Sequence, residues 1–337
     1  MMPEVNRIWK SLLLLALFSA TPLSCRRIPL YDPQAGVYLK LDIQLNTNIH
    51  LNDDIDIEGD PELHDKVYGK VPELVRACFY DPDTHQLVAE DILPAGGGFI
   101  DIDAGVYDLI VYSLGTESTR VADTDVRAAA YAYTSNVGNQ LRLTKTEDDG
   151  TVTYDNQQVI YEPDHIFVGR KASVVIPVRS ENDRVVVIES SLTSLVESWS
   201  FEVLYVEGAG RISKADVYIT GQAPSKYLWD ERFPRYPSTL YFPVEVNTRK
   251  GHIYSVFNTF GKFPNYQNKV YLNVLVTDSQ GERYLWVFDV TEQFDNPDNI
   301  HNEIIIDEPI EVPESGEGHG IWQRVTDWDE TVINIDI

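Results

Sequence analysis

From Val37 to Leu45 the chain alternates strictly. Val37, Leu39, Leu41, Ile43 and Leu45 are apolar, and Tyr38, Lys40, Asp42 and Gln44 lie between them. Successive side chains of a strand point to opposite faces, so this run predicts a β-strand with one face buried; on a helix the same residues would scatter around the surface. The polar stretch Asn46 to Gly69, rich in Asp, Asn and His, is expected to be a long loop. Strands follow at Leu74 to Tyr80 and Gln86 to Asp91, joined by Asp81-Pro82-Asp83-Thr84, where Pro presets φ and Asp bonds locally. Phe99 to Asp103 and Val106 to Ser113 form a second hairpin at Ala104-Gly105. Arg127 to Tyr133 suits one helical turn or two, and Ile166 to Val168 and Ser173 to Val178 return to strand.

Arg179-Ser180-Glu181-Asn182-Asp183 is polar, short and flanked by β patterns, so it is the expected domain boundary. A second series of strands begins at Arg184 to Ser191. It continues at Trp199 to Val206, Ala215 to Thr220, Leu240 to Val246, His252 to Phe260, Lys269 to Thr277, Glu282 to Val290 and Glu303 to Val312. Asp278-Ser279-Gln280-Gly281 supplies a hairpin turn. Short strands at this spacing, almost without helical periodicity, predict an all-β chain of two β-sandwiches, over 37–179 and 184–312. Residues 313–320 (PESGEGHG) have linker composition. Behind them, Ile333, Ile335 and Ile337 alternate with polar neighbours in a strand at the C-terminus. Such a strand must pair with something, its own domain or another subunit's sheet edge.

The N-terminus is an address. Arg7 and Lys10 precede an apolar run of ten residues, Ser11 to Ala20. A bilayer needs about 20 apolar residues, so the run suits a signal peptide rather than a membrane span. Leu23-Ser24-Cys25 then resembles a bacterial lipoprotein cleavage site, with cleavage before Cys25 and a lipid on its thiol. The expected layout is a lipoprotein signal peptide over 1–24 and a lipidated tether over 25–36. Removing 1–24 leaves 25 basic against 52 acidic residues, a net charge of −27. Phosphate-rich partners are repelled by such a chain, which excludes nucleic acid as the main partner. Cys78 is then the one remaining thiol; inside the apolar stretch Val75 to Tyr80 it is expected to act as a small hydrophobe.

Little in the chain points to catalysis or to a cofactor. It has no Gly-x-Ser-x-Gly elbow and no phosphate-binding Gly-x-x-x-x-Gly-Lys, and its seven His show no i, i+4 pair. Asp54-x-Asp56-x-Glu58-Gly59 resembles the start of a calcium loop, but the twelfth position is Asp65 rather than Glu, which favours a solvated acidic loop without metal. Tyr227, Trp229, Phe233 and Tyr236 suit either a carbohydrate platform or packing over the end of a sandwich.

Several phrases resemble a family of Bacteroidetes outer-membrane lipoproteins related to the anchor and accessory subunits of type V pili. They are Cys25-Arg26-Arg27 with Pro29-Leu30-Tyr31-Asp32-Pro33; Ala104-Gly105-Val106-Tyr107-Asp108-Leu109; Tyr131-Ala132-Tyr133-Thr134; residues 161–168 (YEPDHIFV); Phe257-Asn258-Thr259-Phe260-Gly261-Lys262; and Trp328-Asp329-Glu330. The resemblance implies two tandem transthyretin-like Greek-key sandwiches displayed on the outer membrane. It also implies assembly with pilus subunits by strand addition, without enzymatic activity. Arg26 and Arg27 precede the first strand, so cleavage there would release the lipid and not the strand, which favours an anchor over a stalk subunit. In this scheme Cys25 carries the lipid and Ile333, Ile335 and Ile337 fill a partner's pockets. The alternative is a surface glycan-binding lipoprotein of a polysaccharide-uptake system, using the aromatic set.

Overall fold

The computed structural model describes residues 36–45, 49, 51, 59–137, 157–178, 185–247, 250–264, 269–314 and 322–325. In the first part of the chain the elements are β1 (Val37–Gln44), α1 (Pro61–Tyr68), β2 (Leu74–Tyr80), β3 (Leu87–Pro94), β4 (Gly97–Ile100), β5 (Gly105–Ser113), β6 (Thr119–Ala122), β7 (Tyr131–Thr134), β8 (Gln158–Tyr161), β9 (Phe167–Ile176) and β10 (Val186–Ser194). There follow β11 (Glu197–Val203), β12 (Val206–Glu207), β13 (Ile212–Gln222), β14 (Ser225–Tyr227), β15 (Ser238–Asn247), β16 (His252–Thr259), β17 (Tyr271–Asp278), β18 (Arg283–Asp289), α2 (Thr291–Asp295), β19 (Glu303–Ile306), β20 (Ile310–Glu311) and β21 (Trp322–Val325). The all-β expectation holds.

The first sheet has the order β3-β2-β5-β9-β10-β1-β4. In β1 the alternation works as expected: Val37, Leu39 and Leu41 are buried and Tyr38, Lys40 and Asp42 are exposed. β9 and β10 are bonded only at Val168↔Thr193 and Phe167↔Ser194. At that corner the sheet folds over, and inward residues from both sides, among them Leu39, Phe79, Leu109, Phe167 and Ile188, meet in one core. Gly97 makes the closure of β4 onto β1 possible. Its φ is +98°, and a Cβ there would lie 1.9 Å from the Leu39 carbonyl oxygen.

The second sheet has the order β19-β11-β16-β15-β13-β17-β18-β21, with β8 added to β15. Here β15 turns the corner. Residues 238–244 pair with β13 and 245–247 with β16, and Pro243 lies just before the change of partner. The core holds Phe201, Phe242 and Phe257, with Phe242 and Phe257 stacked at 5.0 Å, together with Val217, Leu272 and Trp286.

A third cluster joins the two. Cys78, Tyr80, Ile110 and Tyr112 form the outer face of the first sheet and pack against Ala130, Ala132, Leu195, Leu228 and Phe260. The small sheet β14-β7-β6 is part of this cover. Cys78 is fully buried there, and burial pushes its thiol up to about 12, so it behaves as the small hydrophobe expected.

Several expectations need correction. The strand expected to open the second series is β10, and it lies in the first sheet, paired in parallel with β1 from Val37↔Val186 to Gln44↔Thr193. The polar 179–183 stretch lies outside the described residues, and strands of one sheet flank it, so the sheets divide at 195–196 instead. The physical reason is that β1 has a free edge on the side away from β4, and Ile188 and Leu192 bring apolar side chains to the same core. Conversely β8, expected in the first unit, pairs in parallel with β15 of the second sheet. Finally, the expected 46–69 loop contains α1. Asp60 caps it by accepting from the Glu62 and Leu63 N–H groups, and Pro61 occupies its first turn. The expected helical turns at 127–133 also give way in part, to β7.

Candidate functional site

Register fixes where the chain enters and leaves the first sheet. β1 and β10 run parallel over eight residues, and β10 passes through Leu195-Val196 directly into β11 of the second sheet. Val37 therefore lies at the end of the first sheet remote from the second, about 26 Å away at roughly 3.3 Å per residue. Cys25, the expected lipid site, precedes this point and lies outside the described residues.

At the other end, β17 and β18 form a hairpin whose turn is held by Asp278. Its Oδ1 accepts from the N–H groups of Gln280 (2.8 Å) and Glu282 (2.9 Å), and Gly281 has φ +88°. β21 pairs in parallel with β18, from Tyr284↔Trp322 to Val287↔Val325. Residues 322–325 thus supply a strand to the edge of a sheet. Ile333, Ile335 and Ile337 lie outside the described residues.

Between the sheets α1 is tied down by a polar network. Lys66 Nζ pairs with Glu162 Oε1 at 2.9 Å, and the Asn258 N–H donates to Glu162 Oε2 at 2.9 Å. Burial raises the Glu162 carboxyl above its ordinary range, with Lys66 and the Asn258 N–H opposing. Asn258 Nδ2 donates to the Lys66 carbonyl (3.0 Å), and Ser198 Oγ donates to the Val67 carbonyl (2.9 Å). His165 Nε2 is 3.0 Å from the Lys66 carbonyl, which can only accept, so Nε2 carries the proton. Nδ1 then accepts from the Ser194 hydroxyl at 2.8 Å. Burial holds the His165 pKa below its ordinary value, which keeps the ring neutral. Asp164 Oδ2 accepts from the N–H groups of Glu117 (2.7 Å) and Ser118 (2.6 Å) and holds that turn against the same region. Glu162, Asp164, His165 and Asn258 lie in the phrases 161–168 and 257–262, but their meeting gave no signal in the sequence because the members come from separate segments. The helix itself had a local signal in Asp60-Pro61-Glu62.

The aromatic set does not form an open platform. The Arg127 guanidinium lies over the Trp229 ring at 4.3 Å and is ion-paired with buried Asp108. Arg232 lies over Tyr227 at 3.9 Å, and Lys226 over Phe233 at 5.5 Å. Trp229 and Phe233 pack on the third cluster. Tyr236 alone of the four is exposed, at 73%. On Tyr227, Trp229 and Phe233 a ring face that a sugar would stack on is covered by one of the protein's own cations. Asp54, Asp56 and Glu58 lie outside the described residues; Asp65 sits in α1, 3.6 Å from His64. Among the described residues no group of three or more His, Cys, Asp or Glu could hold a metal ion. Nor is any described helix long and apolar enough to cross a membrane.

The profile of a family described as a domain of unknown function (DUF5119) matches residues 64–243. A Bacteroides ovatus protein named as a fimbrium anchoring subunit, Fim4B, is 27% identical over 139 residues, 41% of this chain and 38% of that protein. The match thus spans less than half of that relative's length. Among solved structures, one described as an adhesin from Bacteroides ovatus has a TM-score of 0.54 at 20% identity, covering 83% of this chain and 95% of the other. The fimbrial anchor protein Mfa2 from Porphyromonas gingivalis has a TM-score of 0.47 at 10% identity, covering 80% and 88%.

Proposed function

The chain belongs to the DUF5119 family, and from that premise we propose that it is a non-enzymatic, lipid-anchored anchoring subunit of a fimbrium, held at the outer membrane through Cys25. The observation that carries this reading is β21: a strand behind the linker-like 313–320 segment adds in parallel to the edge of β18. A strand able to pair with a sheet edge is what strand-addition assembly uses, with backbone hydrogen bonds supplying affinity and alternate side chains supplying specificity. Ile333, Ile335 and Ile337 are the side chains for that role. The relation to a protein named for fimbrium anchoring supports the same reading. The two sheets serve as two tandem units of a short stalk, with the tether at the end remote from the second sheet. Acyl chains on Cys25 bind the membrane with about 0.8 kcal/mol per buried methylene.

The test uses the lipidated full chain, expressed with a tag and solubilised from outer membranes. Deleting residues 331–337 is expected to abolish co-purification of fimbrial subunits and leave the thermal melt unchanged. Cys25→Ser is expected to move the chain from the membrane to the soluble fraction. A truncated chain that still co-purifies its partners at the wild-type level would remove the donor role, and a membrane-bound Cys25→Ser chain would remove the lipid anchor.

A further inference from the structure

Beside the α1 junction, the segment leading into β2, the turn after β5 and residues 162–165 enclose a cleft of about 780 Å3. The proposed anchoring role does not use it. Its walls carry six carboxylates against two lysines, Lys66 and Lys70. Two of the carboxylates are already engaged, Glu162 by Lys66 and Asp164 by backbone N–H groups. Asp65 is 3.6 Å from His64 Nδ1. The others, Glu62, Glu73 and Glu117, form no ion pair among the described residues, and Lys70 is the one other cation of the cleft.

The same cleft has an apolar floor. Val71 is 55% exposed and Leu74 is 45% exposed, with Pro72 and Leu114 beside them. This floor is pre-formed: the Leu114 N–H donates to the Leu74 carbonyl at 2.9 Å, and the Ala95 N–H to the Glu73 carbonyl at 3.0 Å. Negative charge repels phosphates and acidic sugars. The volume falls in the range of ligand pockets, roughly 300–1,000 Å3, and far exceeds a single ion. We infer that the cleft is a docking site for a peptide segment of a partner protein that carries Lys or Arg beside an aliphatic residue. The cation faces Glu73 and Glu117, and the aliphatic side chain covers Val71 and Leu74. Complementary charge speeds the encounter, and the fixed floor limits the ordering cost.

The experiment selects a phage-displayed random dodecapeptide library on the intact mature chain and measures the selected peptides by fluorescence anisotropy. The key variant is Glu73→Gln with Glu117→Gln, which leaves the Lys66–Glu162 pair intact. Its control is Asp101→Asn with Asp307→Asn, an equal charge change at exposed acids that do not line the cleft. Enriched peptides are expected to place Lys or Arg next to Leu, Ile or Val and to bind the control as they bind the wild type. They should bind the Glu73/Glu117 variant roughly three- to thirtyfold more weakly, the range for losing two exposed pairs. On the wild-type chain, raising NaCl from 50 to 300 mM is expected to weaken them too. The inference is overturned if no sequence is enriched, if enriched sequences lack a basic residue, or if both variants bind alike. Displacement of the peptides by an equal concentration of spermine would also overturn it, because the site would then take small cations rather than a peptide. The readout does not depend on residues 331–337, so its failure and that of the anchoring role are separable.

Discussion

Replacing Lys66 with Met isolates the energetics of the junction. The ammonium lies 2.9 Å from Glu162, and the two side chains are 30% and 19% exposed. Breaking a fully buried pair costs about 3–5 kcal/mol, and an exposed pair is worth about 0–1 kcal/mol. Partial exposure puts Lys66→Met at about 2 kcal/mol at pH 7, measured by urea unfolding followed by circular dichroism. The pH dependence separates charge from packing. In the wild type the Glu162 pKa in the folded state is raised above the ordinary 4.5. Above 4.5 the folded chain holds more proton at this site than the unfolded chain does, so this group's contribution falls as pH rises through its folded pKa. Without Lys66 the carboxyl loses its main opposing cation and its folded pKa climbs further. The deficit of Lys66→Met relative to wild type is therefore expected to shrink as pH is lowered from 7.5 to 5, because Glu162 then takes a proton. Glu162→Gln with Lys66→Met should show a smaller deficit at pH 7 and no such slope. A deficit that is flat over this range, or under about 0.5 kcal/mol, would refute the view that the pair holds α1 in place by charge.

Two further outcomes follow from the same geometry. His165 is held neutral, with its folded pKa below 6.5; the stability it contributes is complete above pH 6.5 and is lost as pH falls from there toward the folded value. His165→Gln is expected to flatten the wild-type decline between pH 7 and 5.5 in the same unfolding assay, and an unchanged decline would assign it to other groups. Gly97→Ala places a methyl against the Leu39 carbonyl at positive φ, which is expected to cost about 1–3 kcal/mol and to expose the β1–β4 edge to hydrogen exchange. Wild-type stability in this variant would show that β4 can shift freely.

Much of the strand content was legible because period two is a local property. The β1 run and the hairpins at Asp81-Pro82-Asp83-Thr84 and Asp278-Ser279-Gln280-Gly281 carry their own evidence. Partnership is not local. β1 and β10 form a parallel ladder across which Lys40 bonds Glu189, 149 residues away, and no pattern within either strand names the other. The same holds for β8, whose Gln158–Tyr161 run is too short to show which sheet it joins. α1 was hidden by its polar composition, since a helix held by capping and by side-chain bonds to its last carbonyls needs little apolar periodicity. The third cluster was hidden for a different reason. Cys78, Tyr80, Ile110 and Tyr112 make the outward face of their strands apolar, so the strands read as continuous runs and their cover could not be located. The aromatic residues near 230 were visible, but their partners Arg127 and Arg232 decide their role, and Arg127 is a hundred residues distant.

The parallel pairing of β1 with β10 has a mechanical consequence. A pull on residue 36 draws on the leading end of β1, and a pull from the second sheet draws on the trailing end of β10, in the opposite direction. The load crosses between neighbouring strands that run the same way, so it acts along the ladder and strains its hydrogen bonds together rather than opening them one at a time. Forced unfolding is governed by the rate of crossing its barrier rather than by equilibrium stability, and this eight-residue seam lies in the path of the load. The first sheet thus has the geometry of a shear clamp for any load applied between residue 36 and the second sheet.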